Sequence, residues 1–214
     1  MRTKRLLITA ANTDYGKTHL SLQLLENFAR RGLRVGAIKP IETGVETQPL
    51  DGTRLHDQCR KLNPDFAGIT VADVVPVQFP LPAAPAIAKG STPIDFEAIR
   101  RSLERIEALS DIVVIESAGG LMTPIDEETF VIDLASMLDA TVLFFTTDRL
   151  GMISESLVHH EFLDNRGIAY HWGINRFGPK EAFDRISRDF LQNYGKPIYL
   201  LPDDLDAFVD EVLA

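Results

Sequence analysis

A single cysteine, Cys59, occurs in 214 residues, so no intrachain disulfide can form, and a reducing, cytoplasmic setting is expected. A basic excess is also missing. Lys and Arg number 22 against 31 Asp and Glu, a formal charge of −9, which argues against a role in coating nucleic acid. The doublets Lys4-Arg5, Arg30-Arg31 and Arg100-Arg101 are isolated and read as solvated chain or helix ends. No apolar run approaches the ~20 residues that span a bilayer, so no membrane segment is expected. The apolar stretch 6–11 is too short for the core of an export signal. Repeats and low-complexity tracts are absent too, and the length predicts one domain, 1–214. His159-His160 has no third metal ligand nearby in sequence, Trp172 reads as core or interface, and Cys59 lacks the His or Asp neighbours of a nucleophile.

What is present is an alternation of short apolar runs and longer amphipathic segments. Strands are predicted over 6–11, 34–39, 111–116, 141–147, 168–175 and 197–201, with an extra one over 74–79. Helices are predicted over 17–31, 54–62, 95–108, 130–138, 153–165, 180–194 and 203–213. Ile112-Val113-Val114-Ile115 and Val142-Leu143-Phe144-Phe145 are apolar at successive positions, the pattern of strands covered on both faces. The expected fold is therefore α/β: a doubly wound, mostly parallel sheet flanked by helices. Functional groups belong at the carboxyl ends of its strands.

Ala11-Asn12-Thr13-Asp14-Tyr15-Gly16-Lys17-Thr18 follows the first strand and leads into the stripe Leu20, Leu22, Leu24, Leu25, Phe28. It carries the tail of the phosphate-loop pattern G-x-x-x-x-G-K-[ST], with Ala11 in place of the first glycine. Gly16 lets backbone N–H groups turn toward phosphate oxygens, Lys17 can reach the β- and γ-phosphates, and the Thr18 hydroxyl can ligate Mg²⁺. The start of the following helix adds its positive end to the same anion. A P-loop NTPase type of fold follows.

Two further strand ends carry charge. Lys39 stands directly before Pro40 and is thereby held extended, where it can neutralise a transferring phosphoryl group or bind an anion. Taken alone, it reads first as a strand-end lysine reaching water. Glu116, after Val-Val-Ile and before Ser117-Ala118-Gly119-Gly120, has the place of a Walker-B acid aimed at a metal ion, or of a helix-capping acid. Asp57 is a further candidate metal group, on a segment that also suits a solvent-facing acid.

Taken together, Lys17, Thr18, Lys39, Asp57, Glu116 and Gly119-Gly120 resemble the dethiobiotin synthetase family, ATP-dependent ligases of the P-loop class. The resemblance is densest over 9–18, 39–44, 116–124 and 150–153 and thin after Asn175. It implies conversion of 7,8-diaminopelargonate and CO₂ to dethiobiotin, with ATP as co-substrate and Mg²⁺ as cofactor, through a carbamate and a carbamic–phosphoric anhydride. It implies catalytic roles for Lys39, Lys17 and Thr43, and nucleotide contacts from Asn12, Thr13, Asp14, Tyr15, Gly16, Lys17, Thr18 and Asn175. Mg²⁺ is expected on Thr18, Asp57 and Glu116. Substrate contacts are expected from Lys39, Thr43 and Gly119, and from Leu150, Gly151, Met152 and Ile153 of a neighbouring subunit, hence a homodimer with composite sites.

Four positions depart from the family pattern: Ala10 and Ser117 replace glycines, and Ser154-Glu155 replaces Asn-His. Ala10 is where the family's longer loop has its opening glycine. Glu155 would repel the substrate carboxylate if it pointed inward. Asn12 stands where the related partitioning-type ATPases carry a signature lysine. That disfavours the alternative, a nucleotide-switched ATPase acting through protein partners. A glutamine-dependent amidoligase is disfavoured by the lack of a glutaminase domain.

Overall fold

Parallel pairing throughout organises the computed structural model, which describes residues 3–214; Met1 and Arg2, the first residues of the expected domain, lie outside the described residues. The strands are β1 (Lys4–Ala10), β2 (Val35–Ile38), β3 (Ile41–Thr43), β4 (Val77–Phe79), β5 (Ile112–Glu116), β6 (Thr141–Thr147), β7 (Tyr170–Asn175) and β8 (Leu200–Leu201). Six of them form one sheet in the order β2-β5-β1-β6-β7-β8, and β3 pairs with β4 in a separate two-stranded ribbon. All pairs are parallel. The order turns back at β1, so the crevice beyond the ends of β1, β5 and β6 is the place where such sheets bind ligands.

The longer helices are α1 (Lys17–Arg30), α2 (Leu50–Leu62), α3 (Phe96–Glu107), α4 (Met152–Asn165) and α5 (Leu205–Leu213). They cover both sheet faces, which is why Ile112, Val113, Val114 and Ile115 are all buried, as are Val142, Leu143, Phe144 and Phe145. α1 packs Leu20, Leu24, Leu25 and Phe28 inward and is followed by Gly32, whose φ of 82° continues the turn back into β2. The expected α/β doubly wound fold is therefore the observed one.

Three expectations need correction. α2 begins at Leu50, one turn before the expected start at Arg54. Gly52 reads as a helix breaker, but here it is required: a Cβ on it would lie 1.9 Å from Val75 Cγ2. β3 was not foreseen. Its three residues are too few to show a period, and its partner β4 is far away in sequence. Finally, the helix expected over 180–194 is divided into Lys180–Phe183, a π-turn Asp184–Arg188 and Asp189–Asn193.

Candidate active site

The phosphate loop spans the gap between β1 and α1. Its left-handed residues are Asp14 (φ 60°) and Gly16 (φ 76°), so the turn's conformational demand falls in its second half. Neither Ala10 nor Ala11 has a positive φ, and the missing head glycine leaves no strain there. Close approach is supplied from the opposite side by Gly120, where a Cβ would lie 2.8 Å from the Ala11 carbonyl oxygen. Gly16 is the N-cap of α1 and provides no side-chain acceptor, which leaves the first-turn N–H groups available to an anion.

Below the loop lies a buried ionic cluster. Glu116, at the end of β5, is fully buried. Its Oε1 accepts from the Thr18 hydroxyl at 2.8 Å and from Lys39 Nζ at 2.7 Å, and its Oε2 accepts from the Ser21 hydroxyl at 2.8 Å. Lys39 Nζ also donates to Asp51 Oδ2 at 3.1 Å. Burial by itself would lower the Lys39 ammonium, but Glu116 and Asp51 outweigh it and hold the group above its ordinary value. Asp51, although burial would raise it, is held below the usual carboxylate range by Lys39.

Lys17 differs. Its ammonium is buried, reaches only the Asn12 carbonyl oxygen at 3.4 Å, and is lowered to about 8 by burial and by the charge of Lys39. It is a buried cation short of a counter-charge.

These groups line a cavity of about 730 Å³. Of the residues singled out from the sequence, Thr13, Asp14, Gly16, Lys17, Thr18, Lys39, Thr43, Glu116 and Gly119 face it. Asn12 and Tyr15 support the loop instead: Asn12 Oδ1 accepts the Thr13 N–H at 2.8 Å, and the Tyr15 hydroxyl donates to Glu155 Oε1 at 2.7 Å. Glu155 is thus engaged by the loop of its own chain. Asn175 donates from Nδ2 to the Tyr15 carbonyl at 2.8 Å and lies behind the loop.

Asp57 is not part of the cluster. Its side chain is 70% exposed and pairs with His56 Nδ1 at 3.0 Å. Asp51 stands where Asp57 was expected: six residues along a helix is a rotation of roughly 240° beyond a full turn, so the two cannot share a face. Pro49 before the helix and Asp51 in its first turn were the signals that would have found it. Leu150, Gly151, Met152 and Ile153 do not line this cavity either. Leu150 is 98% exposed, Met152 is buried, and Gly151 caps α4 with φ 96°.

Sequence reasoning also missed Glu42, Arg54, the apolar wall 82–85 and Phe177, all of which line the cavity. Glu42 caps α2, accepting the N–H groups of Asp51 (3.1 Å) and Gly52 (2.9 Å), and burial raises its carboxyl.

Cavity-lining oxygens that could hold a metal include the Thr18 hydroxyl and the carboxylates of Asp51 and Glu116, all hard donors of the kind Mg²⁺ takes. Among the described residues, no group of three or more His, Cys, Asp or Glu could hold a metal.

Residues 4–196 match a family model described as an AAA domain. The chain is 42% identical over 185 residues to the ATP-dependent dethiobiotin synthetase BioD of Sulfurovum sp. (strain NBC37-1), covering 86% of this chain and 88% of that protein. To the protein of the same name from Wolinella succinogenes it is 30% identical over 214 residues, covering 99% of each. Among solved structures, the MinC:MinD cell division complex of Aquifex aeolicus matches 98% of this chain and 86% of that chain at TM-score 0.54 and 18% identity. A plasmid partition protein from Borrelia burgdorferi matches 94% and 89% at TM-score 0.56 and 13% identity. These two likenesses concern the fold alone.

Proposed function

This chain belongs to the ATP-dependent dethiobiotin synthetase family, and on that premise we propose that it closes the cyclic urea of dethiobiotin from 7,8-diaminopelargonate, CO₂ and ATP through a carbamate and a carbamic–phosphoric anhydride. One amine of the substrate adds to CO₂ and loses a proton, giving the carbamate. A carbamate oxygen then attacks the γ-phosphorus and ADP leaves. The second amine attacks the carbonyl carbon of the anhydride, inorganic phosphate leaves, and the amine's proton passes to phosphate or water.

The observation that carries this reading is the pair of buried lysines, Lys17 and Lys39, in one cavity with Glu116 and Asp51. The nucleotide-switched alternative would place its second lysine early in the loop, where this chain has Asn12. Phosphoryl transfer between bound partners rewards placed positive charge more than covalent help. Lys17 would meet the β- and γ-phosphates, which bring the counter-charge it lacks. Lys39, kept protonated by its two carboxylates, would hold the carbamate and the transferring phosphoryl group, with the Thr43 hydroxyl and Gly119 beside them. The wall 82–85 would take the aliphatic chain. Thr18, Asp51 and Glu116 would hold Mg²⁺, whose contribution is to neutralise charge on the phosphate oxygens.

In the same proposal the protein is a cytoplasmic homodimer. Leu150, Gly151, Met152 and Ile153 lie outside their own chain's cavity, and the uncapped start of α4 would receive the substrate carboxylate bound by the other copy. With Glu155 engaged by Tyr15, the acid at that helix start is already paired with a donor. No helix among the described residues is long and apolar enough to cross a membrane.

The test is direct: incubate the protein with diaminopelargonate, bicarbonate, Mg²⁺ and ATP, and measure dethiobiotin and phosphate. Folded, nucleotide-binding protein that forms neither product would overturn the reading.

A further inference from the structure

Phe177 is the one Phe, Tyr or Trp on the wall of the 730 Å³ cavity among the described residues, and 51% of its surface is exposed. Its place beside the phosphate loop is close: a Cβ built on Gly16 would lie 3.6 Å from Phe177 Cζ. It is also held firmly for a loop residue. The carboxylate of Asp148 accepts the N–H of Phe177 at Oδ1 and that of Gly178 at Oδ2, each at 2.8 Å. The Arg149 guanidinium sits 4.5 Å from the ring centroid and covers one face as a cation–π partner, which leaves the remaining open surface of the ring for the cavity.

From this arrangement we infer, on the nucleotide-binding part of the reading above, that Phe177 is the stacking platform for the nucleotide's base. A triphosphate laid on the start of α1 lies beside Gly16, and the aromatic ring that lines the cavity there is Phe177. Asn175 gives one amide N–H to the Tyr15 carbonyl and keeps its second N–H and its Oδ1 for a base edge, so it complements a stacking ring rather than replacing it. The ring offers the base a π-face, which every base possesses, beside any hydrogen bonds made to its edge.

The experiment compares ligands that share phosphates and differ in the base. Binding of Mg-ATP and of Mg-tripolyphosphate is measured by calorimetry, without diaminopelargonate, for the wild type, Phe177→Ala and Phe177→Tyr. Loss of a stacking partner is expected to weaken ATP roughly 5- to 100-fold, to leave tripolyphosphate within about twofold, and to be rescued by tyrosine. In Phe177→Trp, the new indole emission should be quenched by ATP and not by tripolyphosphate, a readout independent of how Phe177→Ala folds. Equal weakening of both ligands by Phe177→Ala, no weakening of ATP, or an indole indifferent to ATP would each overturn the assignment. So would wild-type protein that binds ATP no better than tripolyphosphate. None of these measurements involves dethiobiotin, so a failed ligase reading and a failed stacking platform give different results.

Discussion

Lys39 Nζ and Glu116 Oε1 lie 2.7 Å apart at the ends of two neighbouring strands, β2 and β5, with both side chains almost wholly buried in the wall of the cavity. Each would be costly to bury without the other. The pairing keeps the ammonium charged while Thr18 and Ser21 each donate a hydroxyl hydrogen to the same carboxylate. Lys39 is therefore a fixed ammonium with its own support, held beneath the loop before any substrate arrives.

Removing that charge should separate chemistry from nucleotide binding. Lys39→Gln is expected to lower kcat by about 10²-fold to 10³-fold or more, the range for losing one preorganised electrostatic contact, and to leave ATP affinity within about threefold. Lys17→Gln should weaken ATP binding itself. Steady-state kinetics with calorimetric nucleotide titrations distinguishes the two, and near wild-type turnover in Lys39→Gln would remove that lysine from the site.

Asp51 and Asp57 make an internal comparison on one helix. Asp51→Asn removes a carboxylate that touches Lys39 and faces the cavity, and should raise the Mg²⁺ concentration needed for half-maximal turnover at least about tenfold, consistent with loss of one of few protein ligands. Asp57→Asn changes an exposed acid and should stay within about twofold in the same Mg²⁺ titration. The reverse outcome would restore the assignment first drawn from the sequence.

The fold was legible because parallel strands buried on both faces write themselves as unbroken apolar runs, as in Ile112–Glu116 and Thr141–Thr147. The phosphate loop, Lys39 and Glu116 were legible because each directly follows or closes such a run. Asp51 was not. It lies in a first helical turn that contains a glycine, and local propensity argues against a helix there. Only the contact of Gly52 with Val75, a residue from another part of the chain, makes glycine the right choice. Phe177 was hidden for a similar reason: it follows a strand end in a loop whose shape is set by Asp148, at the end of a different strand. For His160 the sequence left a surface or a packing role. It is fully buried, its Nδ1 lies 2.7 Å from the Tyr170 hydroxyl, and its ring meets that of Trp172 edge-on at 4.5 Å between centroids, which is a packing role.

The depressed pKa of Lys17, about 8 in the free protein, makes nucleotide affinity depend on pH with a definite sign. A bound polyphosphate favours the ammonium and raises its pKa. Below about pH 7 the lysine is charged in both states and affinity is flat. Above about 8 the free protein has lost the proton, which must be taken up on binding, so affinity should fall by up to about tenfold per pH unit until the bound-state pKa is passed. Lys17→Arg carries a group that stays charged, and its affinity should show a much shallower dependence over the same range. Calorimetry from pH 6.5 to 9.5 (about three units, enough to show a tenfold-per-unit slope) measures both. A wild-type profile as flat as that of the arginine variant would mean that Lys17 does not lose its proton in the free protein.

Gly52 connects the stability of the fold to the geometry of the site. Its lack of a side chain lets the first turn of α2 lie against Val75, where a Cβ would come within 1.9 Å of Cγ2 and 3.2 Å of Glu42 Oε2. Gly52→Ala must push that turn outward, loosening the N–H groups of Asp51 and Gly52 from Glu42 and drawing Asp51 away from Lys39. Overpacking of this kind costs about 1–3 kcal/mol, readable as a shift in denaturant midpoint, and kcat should fall with it because the displaced turn carries Asp51. Val75→Ala alone would also destabilise, by leaving a cavity. In the double variant, however, each change supplies what the other lacks, since the new methyl enters the space the valine vacates. Its destabilisation should therefore be smaller than the sum of the two single effects by at least about 0.5 kcal/mol, the mark of residues in direct contact. Strictly additive losses would show that Val75 is not what requires glycine at this position.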